Sequence, residues 1–303
     1  MRNIYDLTIK ELEDYFISIN EKKFRAVQVY EALYKRRIKS FDDMTNISKE
    51  VREKLKQDFS FYKIKMLIKQ KGKNVNKYLF ELEDGNKIES VLMFHDYGTS
   101  ICVSSQVGCN MTCAFCESGR LKKVRNLLAY EIVQQILQIE EDINKRITHV
   151  VLMGIGEPFD NYDNVLRFVK IINCGQGIDI GSRHITISTC GVIPGIKKFM
   201  NEEGQVNLAI SLHAPNDTLR SRIMPINKAY PLNELMETIK EYINKTNRRV
   251  TFEYIMLDNV NDSEENAKEL ALLLKGINCY VNLIPYNETE NIEFKRTKEW
   301  KIF

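Results

Sequence analysis

The sequence lacks long apolar runs. Stretches such as Val150-Val151-Leu152-Met153 fall far short of the roughly 18–20 residues of a membrane span. Proline is scarce, six in 303 residues, and no Pro/Ser-rich linker or 20–50-residue repeat is visible, so arrays and linker-dominated architectures are excluded. Net charge is also small, with 44 Lys+Arg against 41 Asp+Glu. That balance permits nucleic-acid binding without indicating it. The first residues, MRNIYDLTIKELEDYF, lack the apolar segment of a secretory signal, and a cytoplasmic location is expected. The composition, 44% apolar and 28% charged, is that of a globular protein with one large domain, or a large and a small one.

Residues 1 to about 60 read as short helices. Thr8 with Glu11 forms a capping-box pattern ahead of Leu12, Tyr15 and Phe16. Further helices are expected over 24–37 and 47–58. Strong β-formers at 78–82 and 88–92 flank Asp84-Gly85-Asn86 and predict a hairpin. From about residue 99 strands and helices alternate. Strands are expected at 99–105, 148–153, 184–189, 206–212, 250–256 and 279–285, with helices near 127–142, 161–172, 192–200, 231–245 and 262–275. Repeated βα units predict a parallel sheet, and six of them suit a partial (β/α) barrel better than a closed eight-fold one. The expected organisation is a helical module over 1–62, a β-hairpin connector over 63–98 and the α/β partial (β/α)6 barrel over 99–303. Function belongs in the loops after the strand C-termini.

Cysteine is the uneven feature. Four of the seven fall within fifteen residues, Cys102, Cys109, Cys113 and Cys116, while Cys174, Cys190 and Cys279 are scattered. An odd count in a reducing compartment argues against a disulfide framework. Cys109-Asn-Met-Thr-Cys113-Ala-Phe-Cys116 has C-x3-C-x2-C spacing. Three thiolates in one loop can hold three corners of a cubane iron–sulfur cluster and leave the fourth iron for a substrate. A structural zinc completed by Cys102, or buried unliganded cysteines, are the plainer alternatives.

That spacing, with an aromatic before the last cysteine at the start of a βα barrel, resembles the radical S-adenosylmethionine (SAM) superfamily. Cys102-Val-Ser-Ser-Gln-Val-Gly-Cys109, Met153-Gly-Ile-Gly-Glu157-Pro158, Ile187-Ser188-Thr189, Ser211-Leu212-His213-Ala-Pro215, Met224-Pro-Ile-Asn227 and Asn282-Leu-Ile-Pro-Tyr-Asn287 narrow the resemblance to the RlmN/Cfr family. It runs from about residue 20 to about 296. The resemblance implies an enzyme that methylates an adenine ring carbon of 23S ribosomal RNA, in some members also transfer RNA. The carbon is carbon 2 as in RlmN or carbon 8 as in Cfr.

It further implies a [4Fe–4S] cluster on Cys109, Cys113 and Cys116, with SAM on the open iron as the second cofactor. Gly156, Glu157, Ser188, Ser211, Leu212, His213 and Asn287 match positions that contact SAM. Glu89 matches the general base and Cys102 the resolving cysteine, which forms a disulfide with a methyl-carrier cysteine. The family's carrier segment resembles Ala-Cys-Gly-Gln and does not occur among the 303 residues. The expectation is a C-terminally truncated barrel, whose rival reading is an RNA- and SAM-binding remnant that cannot turn over. A radical SAM enzyme of another subgroup, such as a glycyl-radical activase, is the other rival. Implied partners are the RNA and an electron donor such as a flavodoxin or ferredoxin.

For RNA contact, Lys22 to Lys39 holds seven Lys/Arg and one acidic residue, Glu31, interleaved with Phe24, Tyr30 and Tyr34. A basic helical surface could grip phosphates, or it could be a solvated face over an ordinary core. Arg120, Lys122, Lys123 and Arg125 form a second candidate group.

Overall fold

A computed structural model describes residues 1–302. The chain forms two compact units. One holds Met1–Ser105, Leu127–Gly154 and Asn161–Ile185, and the other Gln106–Asn126, Ile155–Asp160 and the chain from Thr186 onward.

In the first unit the expected capping box is present: the Thr8 hydroxyl accepts from the Glu11 N–H at 3.3 Å and the Glu11 carboxylate accepts from the Thr8 N–H at 2.9 Å. The helix Ile9–Ser18 follows, then Phe24–Tyr34 and Lys49–Asp58. Tyr5, Tyr30 and Tyr34 are buried among them. The Tyr30 hydroxyl donates to the Leu7 carbonyl and that of Tyr34 to the Tyr5 carbonyl, each at 3.2 Å. Buried phenols need such partners.

The same unit carries an antiparallel run Lys65–Lys71, Val75–Glu81, Lys87–His95 and Gly98–Cys102, and the last of these pairs in parallel with His149–Leu152. The turn at Asp84-Gly85-Asn86 is as expected, with Gly85 at φ 81°. The strand Lys65–Lys71 was not legible in KMLIKQK, because its lysines blur the alternation; edge strands carry such charges to discourage further pairing. The helix Ala129–Ile143 lies on this sheet through Gln135, whose amide accepts from Ser90 Oγ at 2.7 Å and the Ser104 N–H at 2.8 Å and donates to the Ser104 carbonyl at 3.0 Å.

In the second unit Thr186–Thr189, Asn207–Ser211, Val250–Met256 and Cys279–Pro285 pair successively in parallel. All six expected barrel strands therefore form, with helices Ala129–Ile143, Tyr162–Asn173, Ile193–Phe199, Leu232–Thr246 and Glu264–Leu273 between them. A short helix, Asp217–Ile223, was not anticipated. Its seven residues, DTLRSRI, are too few to show a helical period, but Asn216 caps it by accepting from the Leu219 N–H at 2.9 Å.

Glu11 ties the helical segment to the Tyr162–Asn173 helix. Burial works against its charge, but hydrogen bonds from Arg167, Thr8 and Arg2 hold its carboxyl down at about 2. A depressed carboxyl adds stability above its unfolded pKa and loses it as pH falls through the folded one. Its partial exposure reduces the effect of that shift to about 1 kcal/mol. Glu11→Gln is expected to lower unfolding stability by that amount at pH 7. In urea melts across pH, the difference from wild type should shrink between about pH 4.5 and pH 2; a constant difference would contradict the assignment.

Candidate functional site

The cysteine loop is shaped by two glycines. Gly108 has φ +73°, and a Cβ there would stand 2.2 Å from the Lys122 carbonyl oxygen, so only glycine lets the chain turn so close to the returning strand. The Cys109 N–H then donates to the Leu121 carbonyl at 2.9 Å. A Cβ on Gly119 would meet the Cys113 carbonyl at 2.9 Å, which brings the following turn against the loop. The Ala114 N–H donates to the Ile223 carbonyl at 2.9 Å, and this pins the loop midway between Cys113 and Cys116. Burial raises the Cys109 and Cys113 thiols, Cys113 to about 12, and the neighbouring Cys116 raises both further. Among the described residues no three His, Cys, Asp or Glu side chains are placed to share one metal ion. Three coupled soft thiols on a loop are the donor set of a three-cornered cubane site, and a cationic cluster would remove the cost of ionising them together. All seven cysteines are free.

Beside this loop Gln106 is fully buried and uses its whole amide. It accepts from the Glu157 N–H at 2.9 Å and donates to Asn126 at 2.8 Å and Asp160 at 3.0 Å. It thereby fixes the segment containing Gly156, whose φ is +111°. The buried Glu157 carboxylate accepts from the Phe159 N–H at 3.0 Å and the Cys190 N–H at 2.8 Å. Burial raises its pKa and these bonds oppose the rise. Glu157 therefore stitches two strand-end loops together with both oxygens engaged.

The remaining candidates lie at the next strand ends. Ser188 is buried and Ser211 half-buried. Leu212 is fully buried, and its N–H donates to the Glu253 carbonyl at 3.0 Å. His213 is buried at φ +59°, an uncommon conformation for a residue with a Cβ. Its Nδ1 accepts from the Ile255 N–H at 3.0 Å, so the ring proton of the neutral form sits on Nε2. Burial, helped by Arg220, lowers its pKa to about 3 and keeps it neutral. Phe115, the aromatic before Cys116, packs edge-on against it with centroids 4.9 Å apart. Asn287 is exposed after the strand Cys279–Pro285.

Three functional-looking residues escaped the sequence reading. Gln106 and Arg220 are buried polar side chains whose partners are remote in sequence. Glu253, buried and raised by burial, is bonded by Asn282 at 2.8 Å. Only the motif positions of Gln106 and Asn282 hinted at any of this.

Glu89 and Cys102 belong to the first unit. Val91 pairs opposite Cys102, so Glu89, two residues away, shares the Cys102 face of that sheet. Glu89 is paired with Lys77 at 2.8 Å, and its carbonyl accepts from Ser104 Oγ at 2.6 Å. Burial raises the Cys102 thiol to about 11, so it is protonated at neutral pH.

The basic run is less open than its composition suggested. Lys23 pairs with Glu13 at 2.9 Å, Lys35 with Glu31 at 3.2 Å, Arg25 with Glu21 at 3.6 Å and Arg37 with Glu140. Tyr30 and Tyr34 are core residues, while Phe24 is exposed with Arg25 over its ring. Lys123 pairs with Asp160 at 2.6 Å, and Arg120 and Lys122 are exposed.

Replacing Gly108 by Ala combines a left-handed backbone, costing roughly 1–2 kcal/mol, with the carbonyl clash. The Gly108→Ala protein is expected to be cut by trypsin after Lys122 and Lys123 several-fold faster than wild type, with other sites unchanged. Equal digestion rates would show that the loop accommodates the methyl group.

Residues 2–60 match the family model described as the ribosomal RNA large subunit methyltransferase N-terminal domain, and residues 103–271 match the radical SAM superfamily. The chain is 53% identical over 308 residues to a probable dual-specificity RNA methyltransferase RlmN of Spiroplasma citri, covering 100% of this chain and 89% of that one. A Streptococcus thermophilus protein of the same description is 55% identical over 309 residues, covering 99% and 79%. The crystal structure of a radical SAM methyltransferase from Sphaerobacter thermophilus superposes with a TM-score of 0.94 at 40% identity, covering 100% of this chain and 90% of that one. The fold is thus that of a radical SAM methyltransferase, whose cofactors are a [4Fe–4S] cluster and SAM. Among the described residues no helix is long and apolar enough to cross a membrane. With both family models matched and more than half of its residues identical to such relatives along its length, the chain belongs to the RlmN family of radical SAM methyltransferases.

Proposed function

We propose that this protein methylates an adenine ring carbon of 23S ribosomal RNA in the cytoplasm, with transfer RNA as a second substrate and a flavodoxin or ferredoxin as electron donor. The observation that carries the reading is the glycine-shaped loop presenting Cys109, Cys113 and Cys116, in a chain aligned throughout with proteins described as dual-specificity RNA methyltransferases. The same alignment favours an active methyltransferase over a binding remnant.

Cys109, Cys113 and Cys116 would hold the cluster, which would supply there the electron for reductive cleavage of the SAM sulfonium. The positive φ of Gly156 lets backbone approach SAM closely. Ser188, Ser211 and Asn287 offer hydrogen bonds, and His213 a fixed Nε2–H donor. Glu157 and Leu212 also hold the loops that carry these groups, through hydrogen bonds within the fold. Glu89 takes the proton that leaves the ring carbon, with Lys77 holding the carboxylate until the base arrives. Cys102 matches the resolving thiol, whose disulfide partner would be the carrier cysteine that these 303 residues do not contain. It is protonated at rest and inert until its proton is removed. Segment 1–62 serves as the RNA-binding module, 63–98 as its connector and 99–303 as the barrel. Exposed Lys22, Arg120 and Lys122 would meet phosphates in a salt-dependent way.

Reconstitution without oxygen should give about four irons per chain. Labelled methyl-SAM with unmodified 23S fragment or transfer RNA should give methyladenosine by mass spectrometry, and the product identifies the carbon. An intact cluster that cleaves SAM without methylating either RNA would overturn the reading. Cys113→Ala is expected to lose iron and SAM cleavage together. Glu89→Gln should keep both while product formation falls about 10²-fold or more; undiminished product would remove Glu89 from the chemistry.

A further inference from the structure

Arg220 stands out as a fully buried guanidinium with no carboxylate in salt-bridge contact among the described residues. Its hydrogen bonds all go to neutral oxygens. It donates to the Cys190 carbonyl at 2.7 Å, the Leu212 carbonyl at 3.2 Å, the Ser211 carbonyl at 3.3 Å and the Asn227 amide oxygen at 2.9 Å. Asp217 stands one residue further out: the Asn227 amide donates to its carboxylate at 2.7 Å. That carboxylate is also taken by the Leu232 N–H at 2.8 Å. A buried charge is costly to desolvate, and carbonyl dipoles repay only part of that without neutralising it. The cysteine loop lies beside this charge. Cys113 packs against the apolar cluster formed by Cys190, Ile223 and Met224, and Ala114 is bonded to Ile223, the last residue of the helix that carries Arg220. Glycine at 191 makes the arrangement possible, since a Cβ there would lie 3.2 Å from the guanidinium and 3.0 Å from Leu235.

Every hydrogen-bond partner of Arg220 is a neutral oxygen, so its charge meets no anion there. With three ionised thiolates around an iron–sulfur core the same place becomes net negative, and one more electron makes it more so. We propose that Arg220 is a positioning residue that compensates this charge, stabilising the cluster-bound and especially the reduced state. It simultaneously locks the strand-end loops at Ser211–Leu212 and Cys190. The inference rests on the assignment of Cys109, Cys113 and Cys116 as cluster ligands.

The test compares Arg220→Met and Arg220→Lys with wild type, all reconstituted without oxygen, by iron content and by an EPR-monitored redox titration of the cluster. Wild type must first bind about four irons; if it does not, the ligand assignment itself fails, which separates that failure from this one. The lysine variant keeps the charge and should retain the cluster with a midpoint potential close to wild type. The methionine variant should show a more negative midpoint potential, or hold iron poorly under conditions where the lysine variant is full. Either result supports charge compensation, because loss of packing alone would not follow the charge. Unchanged potential and iron content in Arg220→Met would overturn the proposal. So would equal iron loss, or loss of cooperative melting, in both variants, since a retained charge would then have counted for nothing and only a scaffold role would remain.

Discussion

The backbone of Cys190 is held at both its N–H and its carbonyl by buried side chains. The Glu157 carboxylate takes its N–H and the Arg220 guanidinium takes its carbonyl. Hydrogen bonds to charged groups contribute about 1.5–3 kcal/mol each, and more is lost when one buried partner is left alone. Most of the second unit's strand-end loops are fastened through these two side chains. Glu157 is set by Gln106, and Arg220 is set by Asn227 and reaches Ser211 and Leu212. The Arg220 helix in turn fastens the cysteine loop at Ala114. Gln106, Glu157, Cys190, Ser211, Leu212, Arg220 and Asn227 are therefore parts of one hydrogen-bonded framework rather than independent contacts.

Within that framework Glu157, Leu212 and Asn227 have polar groups bonded to neighbours. His213 likewise commits its Nδ1 to the Ile255 N–H, and that commitment fixes the proton on Nε2. A buried histidine kept neutral down to about pH 3 serves as a constant donor rather than as a switch.

Charge on the surface behaves differently. The basic run from Lys22 to Lys39 is largely paired within the protein, and two of its three aromatics are core. Its sequence pattern mixed a helix's packed face with its solvent face. The period-3.6 geometry assigns Tyr30 and Tyr34 to the packed face, and the exposed remainder alone is free to meet phosphate.

The sequence by itself determined the element order, because βα alternation is written in local hydrophobic period and in caps such as Thr8 with Glu11. It also determined the cysteine spacing, which sets three thiols within eight residues. Tertiary structure decided the rest. The strand Lys65–Lys71 exists because a neighbour pairs with it, not because its lysines ask for it. The role of Gly108 depends on Lys122, fourteen residues on, coming within 2.2 Å of a missing Cβ. Arg220 reads in sequence as one more surface cation on a short helix. Only folding removes it from water and surrounds it with carbonyls, because its partners at 190, 211, 212 and 227 meet only when successive strands lie side by side.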